Sequence, residues 1–527
     1  MATLYYNNAT SDGNWATVPT AATGFFVIDK TDSTPVSFLE NSTATVGEVI
    51  FEFDSDGSVA EGNVAVPIGA DAAAAAASLT AVVNANTANA AVTATLVDVP
   101  GGEMRIYLVA NSTGSAGNNI SMNPQSWLIS GWSGGMGGGT DTNWWLDEAC
   151  TIPATSLPTS SDSVVVTGSL SQNTSGSEPT VVDFTMSGGS WSIAITVTGT
   201  ATFNGSTSVA YNYGTITGNV TFDGATASND YTIGEGTVVG NATFQNGANN
   251  LSQINGNATF LNGSANLPPY GRQVTGDATF DAGSSTGPSY NSSTVNGNAT
   301  FYGNSYNSGS VNGTATFNAS SPTYGWGDCR NIGTVGTGVF NDGSTNGYFS
   351  GSLNQSGYVS GNATFTNAYN VHGTVSGDAT FEGYARNGWN VFPSYPYPWT
   401  AGDFARVFGT ATFNDDSVNG QWAVINNTAT FNDFSRNEGS STIYNTNNGQ
   451  YQPALGALVF NDNSRNDSRE MYYNYSASVT FNDESENRGG FLSTPYHPAL
   501  PEPTLAFNRE YTTVVNGING SSILGVL

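Results

Sequence analysis

Five similar acidic segments in the second half of the chain are the residues whose types and spacing could support chemistry. They are NDGSTN 341–346, NDDSVN 414–419, NDFSRN 432–437, NDNSRN 461–466 and NDESEN 482–487. Glycoside hydrolysis needs two carboxylates roughly 5–9 Å apart, and stacking of these segments would bring together Asp415, Asp416, Asp433, Glu484 and Glu486. A catalytic pair should interrupt a repeat, whereas these carboxylates follow it. We therefore predict no catalytic residues and a chain that is not an enzyme.

The same segments could instead hold a cation. Asp433, Asp462 and Asp483 are expected to stack about one coil apart, and their repulsion needs relief by solvent, by Arg436 and Arg465, or by an ion such as Ca²⁺. Asn-Asp-x-Ser also suits a tight turn in which side chains hydrogen-bond their own backbone. Because no second set of carboxylates accompanies this row, we favour a solvated turn and predict no metal site.

The cysteines and histidines give no sign of a reactive centre. Cys150 and Cys329 are the only cysteines, and His372 and His497 are the only histidines. Their positions lack metal-ligand spacing, and two isolated thiols do not make a disulfide scaffold. Nucleophile-elbow, phosphate-loop and zinc-protease motifs are absent from the sequence. We predict no cofactor.

Aromatic side chains are concentrated in segments that interrupt a repeat. The longest such segment is GWNVFPSYPYPWTAGDF 388–404, which prolines stiffen, and MYYNY 471–475 and TPYHP 494–498 are similar. Rigid aromatic surfaces stack on sugar rings or anchor protein partners. The candidate receptor contacts are Trp389, Phe392, Tyr395, Tyr397, Trp399, Tyr472, Tyr473, Tyr475 and Tyr496. An alternative remains open, in which these side chains cover the core beneath their own loops or pack between subunits.

The repeat itself closes on phenylalanine, as in VNGNATF 295–301 and VNGTATF 311–317. Fifteen copies end at Phe203, Phe222, Phe244, Phe260, Phe280, Phe301, Phe317, Phe340, Phe365, Phe381, Phe413, Phe431, Phe460, Phe481 and Phe507. Apolar and polar positions alternate within each copy, which is typical of a β-strand. One coil cannot bury its phenylalanine, but stacked coils can. We predict a mainly β fold, a parallel β-helix (solenoid) of about fifteen coils over 191–527, with its insertions on one side.

The polar positions of the repeat form outward Asn-x-Thr pairs. They are Asn219/Thr221, Asn241/Thr243, Asn257/Thr259, Asn298/Thr300 and Asn362/Thr364. These pairs match the N-glycosylation acceptor and resemble the threonine arrays of ice-binding solenoids. However, Asp277, Asp378 and Thr410 replace asparagine in other copies, and asparagine ladders stabilise any parallel stack of strands. We therefore favour a structural role.

Residues 1–128 have a different pattern, which predicts a small α+β domain. An Ala-rich run behind Asp71 predicts one helix with that residue as its N-cap. Before it, GEVIFEFDSDG and GNVAVPI are expected to form a hairpin, and the strands around Pro100-Gly101-Gly102 should form another. We predict a Gly-rich linker over 129–143 and a cap over 144–190 that protects the first edge of the solenoid.

Charge argues against two classes of partner. The formal net charge is −29, whereas nucleic acids and anionic membranes attract clustered Lys and Arg. The sequence contains no apolar run of about 18 residues that would span a membrane. MATLYYNNATSDGNW lacks the basic and apolar regions of a secretion signal. We expect no nucleic-acid or membrane partner, and arrival outside the cell by another route, such as a virion released by lysis.

One stretch resembles a module of tailed-bacteriophage virion proteins. It comprises VIFEFDSDGSVAEGNVAVPIGADAAAAAASLTAVVNA, then VTATLVD and LVANSTGSAGNNISM, over roughly residues 46–122. With a solenoid behind a Gly-rich linker, the resemblance implies a tail spike, tail fibre or capsid appendage on the virion surface. It implies that residues 1–128 bind other virion proteins, that the receptor is a host-surface glycan or protein, and that the chain forms a homo-oligomer, with a trimer favoured. No catalytic motif of such proteins carries over.

Our leading hypothesis is a structural virion appendage that projects from the particle and mediates host-surface attachment. A polysaccharide-degrading tail spike is the first alternative, which release of reducing ends from host capsule or lipopolysaccharide would identify. A bacterial surface adhesin or filament subunit is the second alternative, and the missing secretion signal is the main objection to it. Ice binding is the last, and thermal hysteresis would test it.

Overall fold

The computed structural model describes the chain in segments. These are residues 2–7, 19–29, 39–99, 103–125, 129–131, 136, 143–152, 154, 156–167, 179–187, 194–205, 210–230, 236–267, 272–283, 287–320, 329–350, 353–388, 405–420, 423–438, 445–447, 450–452, 457–467, 478–487 and 504–508. The chain divides into two compact units, Met1–Val182 and Asp183–Leu527. A helix with the length and apolar character needed to cross a membrane is not found among these described segments.

The first unit combines helices with two small sheets. Its elements are β1 (Thr3–Asn7), β2 (Ala21–Asp29), β3 (Thr43–Val46), β4 (Val49–Asp54), β5 (Val64–Pro67), α1 (Ala72–Ala85), α2 (Thr87–Ala90), β6 (Val92–Val99), β7 (Glu103–Thr113), a 3₁₀ turn (Ser115–Asn119), β8 (Met122–Gln125), β9 (Ile129–Gly131), β10 (Ser163–Thr167) and β11 (Thr180–Val181). The sheet orders are β6-β7-β2-β9 and β5-β4-β3-β8, and β1 pairs with β10 in parallel.

Helix α1 begins where the sequence predicts, so that prediction is confirmed. Asp71 has an extended backbone, and its Oδ1 accepts the N–H of Ala74 at 2.8 Å. This bond satisfies one of the donors that the first helical turn leaves unpaired. One face of α1, including Leu79 and Val83, is buried in a core that side chains of both sheets line.

One predicted hairpin is confirmed and the other is wrong. Strands β6 and β7 pair antiparallel on either side of residues 100–102. Strands β4 and β5 run parallel instead, and β4 forms its hairpin with β3, through a turn in which Gly47 has a φ of 61°. The crossover between β4 and β5 is held by the buried Glu52 carboxylate, which accepts the N–H of Ala60 at 3.0 Å and an Asn63 amide hydrogen at 2.6 Å.

Part of the predicted linker and cap is folded within the first unit. Strand β9 pairs antiparallel with β2. Met136 is buried in the core, and its N–H donates to the Ile120 carbonyl at 3.0 Å. Trp144 is fully buried, with its ring 5.5 Å from that of Tyr6. The domain bounds predicted at residues 128, 143 and 190 stay predictions.

The second unit is a parallel β-solenoid, which confirms the predicted mainly β fold class. A typical coil contributes three short strands, and each strand pairs in parallel with its equivalent in the next coil. The first strand usually ends on a buried Val or Ile, the second generally carries Ala-Thr-Phe, and the third ends on asparagine. These three positions point the apolar and amide side chains into the solenoid.

The strand bounds follow this order. The first strands are Thr196–Val197, Thr215–Ile216, Thr237–Val238, Gln253–Ile254, Gln273–Val274, Thr294–Val295, Tyr358–Val359, Thr374–Val375, Ala405–Val407 and Ala423–Ile425. The second strands are Phe184–Ser187, Ala201–Asn204, Val220–Asp223, Ala242–Gln245, Ala258–Leu261, Ala278–Asp281, Ala299–Tyr302, Ala363–Thr366, Ala379–Glu382, Ala411–Phe413, Ala429–Phe431, Ala457–Phe460, Ser478–Asn482 and Thr504–Asn508. In two coils the first and second strands are continuous, as Ser310–Asn318 and Thr334–Asn341.

The third strands form a 14-stranded sheet of their own. They are Ala210–Asn212, Ala227–Asn229, Asn249–Asn250, Ala265–Asn266, Tyr290–Asn291, Tyr306–Asn307, Arg330–Asn331, Thr345–Asn346, Tyr369–Asn370, Arg386–Asn387, Val418–Asn419, Arg436–Asn437, Arg465–Asn466 and Glu486–Asn487. Two insertions carry antiparallel hairpins, Tyr348–Ser350 with Leu353–Gln355 and Asn445–Asn447 with Gln450–Gln452.

The solenoid has about 11 turns, somewhat fewer than the fifteen predicted. At the last copy, the described residues include only the strand Thr504–Asn508.

Phenylalanines fill the centre of the solenoid. From Phe203 to Phe481 the closing phenylalanines of successive coils stack with ring centroids 4.7–4.9 Å apart and nearly parallel planes. This separation equals the spacing of hydrogen-bonded strands, so one register satisfies both the backbone and the rings. The solenoid therefore has a continuous aromatic core from Phe203 to Phe481.

Candidate functional site

A buried asparagine ladder, which the sequence analysis missed, runs through the third strands. Its members are Asn212, Asn229, Asn250, Asn266, Asn291, Asn307, Asn331, Asn346, Asn370, Asn387, Asn419, Asn437 and Asn466. Each one from Asn212 to Asn437 donates an Nδ2 hydrogen to the Oδ1 of the next coil's asparagine, at 2.7–3.1 Å. All these amides point the same way along the stack.

The ladder amides also hold the backbone that follows them. Asn291 donates its Nδ2 hydrogen to the carbonyl of Ser293 at 2.9 Å and accepts the Ser293 N–H at 3.3 Å. Asn250 does the same with Ser252. Burying an amide is tolerated only when its polar atoms are paired. The ladder therefore stabilises the corner after the third strand as well as the contact between coils.

A signal for this ladder is present in the sequence. Asparagine follows the closing phenylalanine by six residues in most copies, as in Phe244 and Asn250 or Phe413 and Asn419. The five acidic segments all end on such an asparagine, but they suggested a turn only. Two-residue strands carry too little alternation to be recognised from their pattern, which is why the third strand was missed.

A column of small side chains lies two residues before the ladder. Its members are Ala210, Ala227, Ala248, Ser264, Ser289, Ser305, Cys329, Ser344, Ala368, Ala385, Ser417, Ser435, Ser464 and Ser485, all buried. Cys329 occupies one of these positions, and its Sγ is 3.3 Å from the Phe301 carbonyl oxygen. The five hydroxyls of Ser264, Ser344, Ser417, Ser435 and Ser464 have no hydrogen-bond partner within the described residues. Size, rather than hydrogen bonding, is what these five positions share with alanine.

The outward Asn-x-Thr rows have the structural role that we favoured. Asn219 Oδ1 accepts the N–H of Asn241 at 3.1 Å, and Asn241 Oδ1 accepts the N–H of Asn257 at 3.0 Å. Asp277 takes part equally, because its Oδ1 accepts the N–H of Asn298 at 2.7 Å. The position needs an oxygen acceptor, which explains why aspartate replaces asparagine there.

The acidic row also bonds the backbone from coil to coil. Asp415 accepts the Gly383 N–H at 3.0 Å, Asp433 accepts the N–H of Asp415 at 3.4 Å, and Asp462 accepts that of Asp433 at 3.5 Å. These carboxylates are exposed. They follow the repeat without interruption, as the sequence indicated.

Arginines lie near the acidic row but pair elsewhere. Arg436 forms its ion pair with Glu438 at 2.8 Å, and Arg465 forms its own with Asp467 at 3.0 Å. Arg386 also reaches Glu438, at 3.4 Å. Arg436 and Arg465 are therefore engaged with other acids, and backbone N–H groups of the neighbouring coils donate to the acidic row instead.

One carboxylate group in the first unit has the proximity that a metal ion would need. Among the described residues, Glu40, Asp54 and Asp56 form this group. Asp54 Oδ1 accepts the N–H groups of Asp56, Gly57 and Ser58 at 2.8–3.1 Å. Burial raises the pKa of Asp54, but these hydrogen bonds outweigh it and the net pKa is lowered. Hydrogen bonding within the loop accounts for this arrangement.

Tyrosine and arginine share the outward side of several third strands. The rings of Tyr290 and Tyr306 stack at 4.9 Å, and the Arg330 guanidinium lies 5.1 Å from the centroid of Tyr306. Burial raises the pKa of Tyr306. This surface is one of the described places where aromatic and cationic groups meet, and sequence reasoning had not singled it out.

The predicted receptor contacts all lie outside the described residues. This applies to Trp389, Phe392, Tyr395, Tyr397, Trp399, Tyr472, Tyr473, Tyr475 and Tyr496. The strands on either side of the insertions are described, and they show that the prediction of a single side is wrong. Segment 321–328 follows a second strand, whereas 389–404 follows a third strand. Because the third strand separates these two corners, the insertions leave the solenoid at two places.

Comparisons of the chain with protein-family models, curated proteins and solved structures found no match.

Proposed function

We propose that this chain is a structural appendage of a tailed-bacteriophage virion that mediates attachment to the host surface. The observation that carries the proposal is that the repeated polar residues of the solenoid bond one coil to the next. Its recurring polar residues, from the buried ladder to the outward Asn-x-Thr rows, hold successive coils together. We therefore assign recognition to the insertions, where the sequence concentrates aromatic residues.

The first unit supports the same proposal. Its helix and the β6–β7 hairpin occupy the stretch that resembles the phage virion module. A strongly acidic chain with a stacked repeat suits a projecting part of a virion. The number of repeats sets how far the chain extends, and its net charge keeps the protein soluble. We assign docking to other virion proteins to residues 1–128 and place the chain on the virion surface.

Competition for adsorption tests the proposal. Purified full-length chain should slow the adsorption of the phage that encodes it, since both occupy the same receptor. A variant with Trp389, Tyr395, Tyr397 and Trp399 changed to alanine should lose this effect at least tenfold, because aromatic anchors dominate such contacts. Tyr302→Ala, which removes an exposed tyrosine from the solenoid wall, is the matched control and should compete as well as wild type.

Two results would contradict the proposal. One is the absence of the chain from purified particles by mass spectrometry. The other is full activity of the four-residue variant in competition, which would remove the receptor role from the 389–404 insertion. Release of reducing ends from host polysaccharide by the purified chain would identify a depolymerase instead.

A further inference from the structure

The outer face of the β6-β7-β2 part of the first sheet has an unusual composition. Its inner face lines the core, with Phe26, Ile106 and Leu108 fully buried. Antiparallel sheets that cover a core on one side normally present polar residues on the other. Here the outer face carries Val97, Tyr107 and Val109, which are 40%, 36% and 42% exposed, and the half-buried Phe25, beside the exposed Thr23, Thr93 and Thr95. We name Phe25, Val97, Arg105, Tyr107 and Val109 the sheet patch.

Register makes the sheet patch contiguous. Tyr107 lies opposite Phe25 on β2, and Arg105 lies opposite Val97 on β6. The rings of Phe25 and Tyr107 are 5.9 Å apart, and the Arg105 guanidinium is 5.5 Å from the Phe25 centroid. Tyrosine and arginine are enriched among the residues that dominate binding energy in protein interfaces, and large contiguous apolar patches are uncommon on monomers.

The charge distribution favours this surface as the place where two copies of the chain meet. Through Val182 the chain has seventeen carboxylates against two cations, Lys30 and Arg105, so copies of the first unit repel one another over most of their surface. On the sheet patch the Arg105 guanidinium is neutralised by Glu103, whose Oε2 accepts from Nε at 3.0 Å and from Nη2 at 2.9 Å. Two copies therefore meet here with the least repulsion.

We infer that the sheet patch packs against the sheet patch of a second copy of this chain. A two-fold interface brings the same surface of each copy together, so that Arg105 of one copy faces Glu103 of the other while the apolar side chains are buried between them. Adjacent opposite charges make the patch self-complementary. The inference concerns the isolated chain and does not depend on the proposed attachment function.

Analytical ultracentrifugation of the full-length chain tests the inference. Wild type should self-associate reversibly, and more tightly as salt is raised from low concentration, because salt screens the repulsion between acidic copies more than it affects apolar contact. Tyr107→Asp should raise the dissociation constant about tenfold or more. Ile50→Asp, which adds the same charge at a 38% exposed position on β4 of the other sheet, is the control and should associate like wild type.

Charge reversal gives a second, independent readout. Arg105→Glu should weaken association, because two glutamates of each copy would then face those of the other. The double variant Glu103→Arg, Arg105→Glu should restore it. Circular dichroism establishes that each variant is folded. If Tyr107→Asp does not fold, Val109→Thr replaces it in the association experiment, because threonine keeps the shape of valine and its preference for strands.

Three outcomes would overturn the inference. The first is a wild-type chain that stays monomeric at all concentrations and salts. The second is association that Tyr107→Asp or Val109→Thr leaves unchanged, which would locate the interface elsewhere. The third is an Arg105→Glu variant whose weakened association the double variant fails to restore.

Discussion

At the scale of single residues, backbone conformation explains the acidic row better than charge does. Asn246, Asn262, Asp342, Asp415, Asp433, Asp462 and Asp483 follow the closing phenylalanine by two positions and have φ values of 47–57°. Only glycine, asparagine and aspartate adopt this left-handed conformation readily. Gly303 and Gly383 occupy the same position with φ values of 59° and 62°. The turn therefore requires one of three residue types, and aspartate is one of them.

Substitution at Asp433 separates conformation from charge. Asp433→Asn should change the denaturant midpoint little, since asparagine tolerates the same conformation, whereas Asp433→Ala should cost about 1–2 kcal/mol. Chemical denaturation followed by circular dichroism measures both variants. If Asp433→Asn proved as destabilising as Asp433→Ala, the carboxylate itself would be required, and a cation would regain support.

The buried ladder gives a larger residue-scale effect. Asn307→Ala removes the ladder bonds to the Nδ2 of Asn291 and to the Oδ1 of Asn331, which keep only backbone partners. Buried polar groups left unpaired cost about 1–3 kcal/mol each, so we expect a loss of about 2–4 kcal/mol in denaturation experiments. Asn312→Ala removes an exposed amide that bonds Asn296 at 2.8 Å and should cost under about 0.5 kcal/mol. Equal effects of the two substitutions would argue against the ladder as a stabilising element.

At the scale of elements, short turns fix how strands meet. In the first unit the turn before β10 is closed by Asp162, whose Oδ2 accepts the Thr159 hydroxyl at 2.6 Å and the Thr159 N–H at 3.0 Å. Its Oδ1 accepts the N–H of Ala2 at 3.2 Å. One side chain thus ties the turn to the residue that precedes β1, the parallel partner of β10.

This turn predicts an acid-dependent loss of stability. The Thr159 hydroxyl, with backbone N–H groups, lowers the pKa of Asp162 from its ordinary 3.8. Because the folded pKa is depressed, the contribution is complete above the unfolded pKa and is lost as pH falls through the folded value. Thermal unfolding should show wild type more stable than Asp162→Asn at pH 7, with the difference shrinking below pH 3.8.

A matched variant tests the cause of this loss. Thr159→Val removes the hydroxyl donor and keeps the carboxylate. At pH 7 its stability should therefore lie between that of wild type and that of Asp162→Asn. A gap between wild type and Asp162→Asn that is constant from pH 7 to pH 2 would refute the assignment.

At the scale of the whole molecule, repetition distributes stability along the solenoid. Each phenylalanine between Phe203 and Phe481 contacts a ring of the adjacent coil, and each coil pairs with its neighbours. Stability in such arrays is approximately a sum of terms from each repeat and from nearest neighbours. Damage to one coil should therefore remain local.

Phe317→Ala tests this locality. It removes a fully buried ring that lies between Phe301 and Phe340 and should cost about 3–5 kcal/mol. Hydrogen exchange followed by mass spectrometry should show lost protection in the coils around residues 299–346 and unchanged protection near Phe222. Loss of protection along the entire solenoid would show instead that it unfolds as one cooperative unit.

The sequence determined the repeating unit of this protein. Phenylalanine recurrence and two-residue alternation predict stacked parallel strands, because a lone coil cannot bury its ring. The Asp71 cap and the antiparallel pairing of β6 with β7 arise from neighbouring residues, and both predictions are confirmed. Local chemistry of this kind can be recognised without knowledge of distant partners.

Only the tertiary structure decided how elements meet across the chain. The parallel pairing of β4 with β5, the third strand with its buried asparagines, and the two corners for insertions depend on neighbours that no local pattern names. A two-residue strand such as Tyr306–Asn307 has almost no signal of its own. It becomes a strand because adjacent coils supply its hydrogen bonds, and its asparagine is buried because the next coil's asparagine pairs with it.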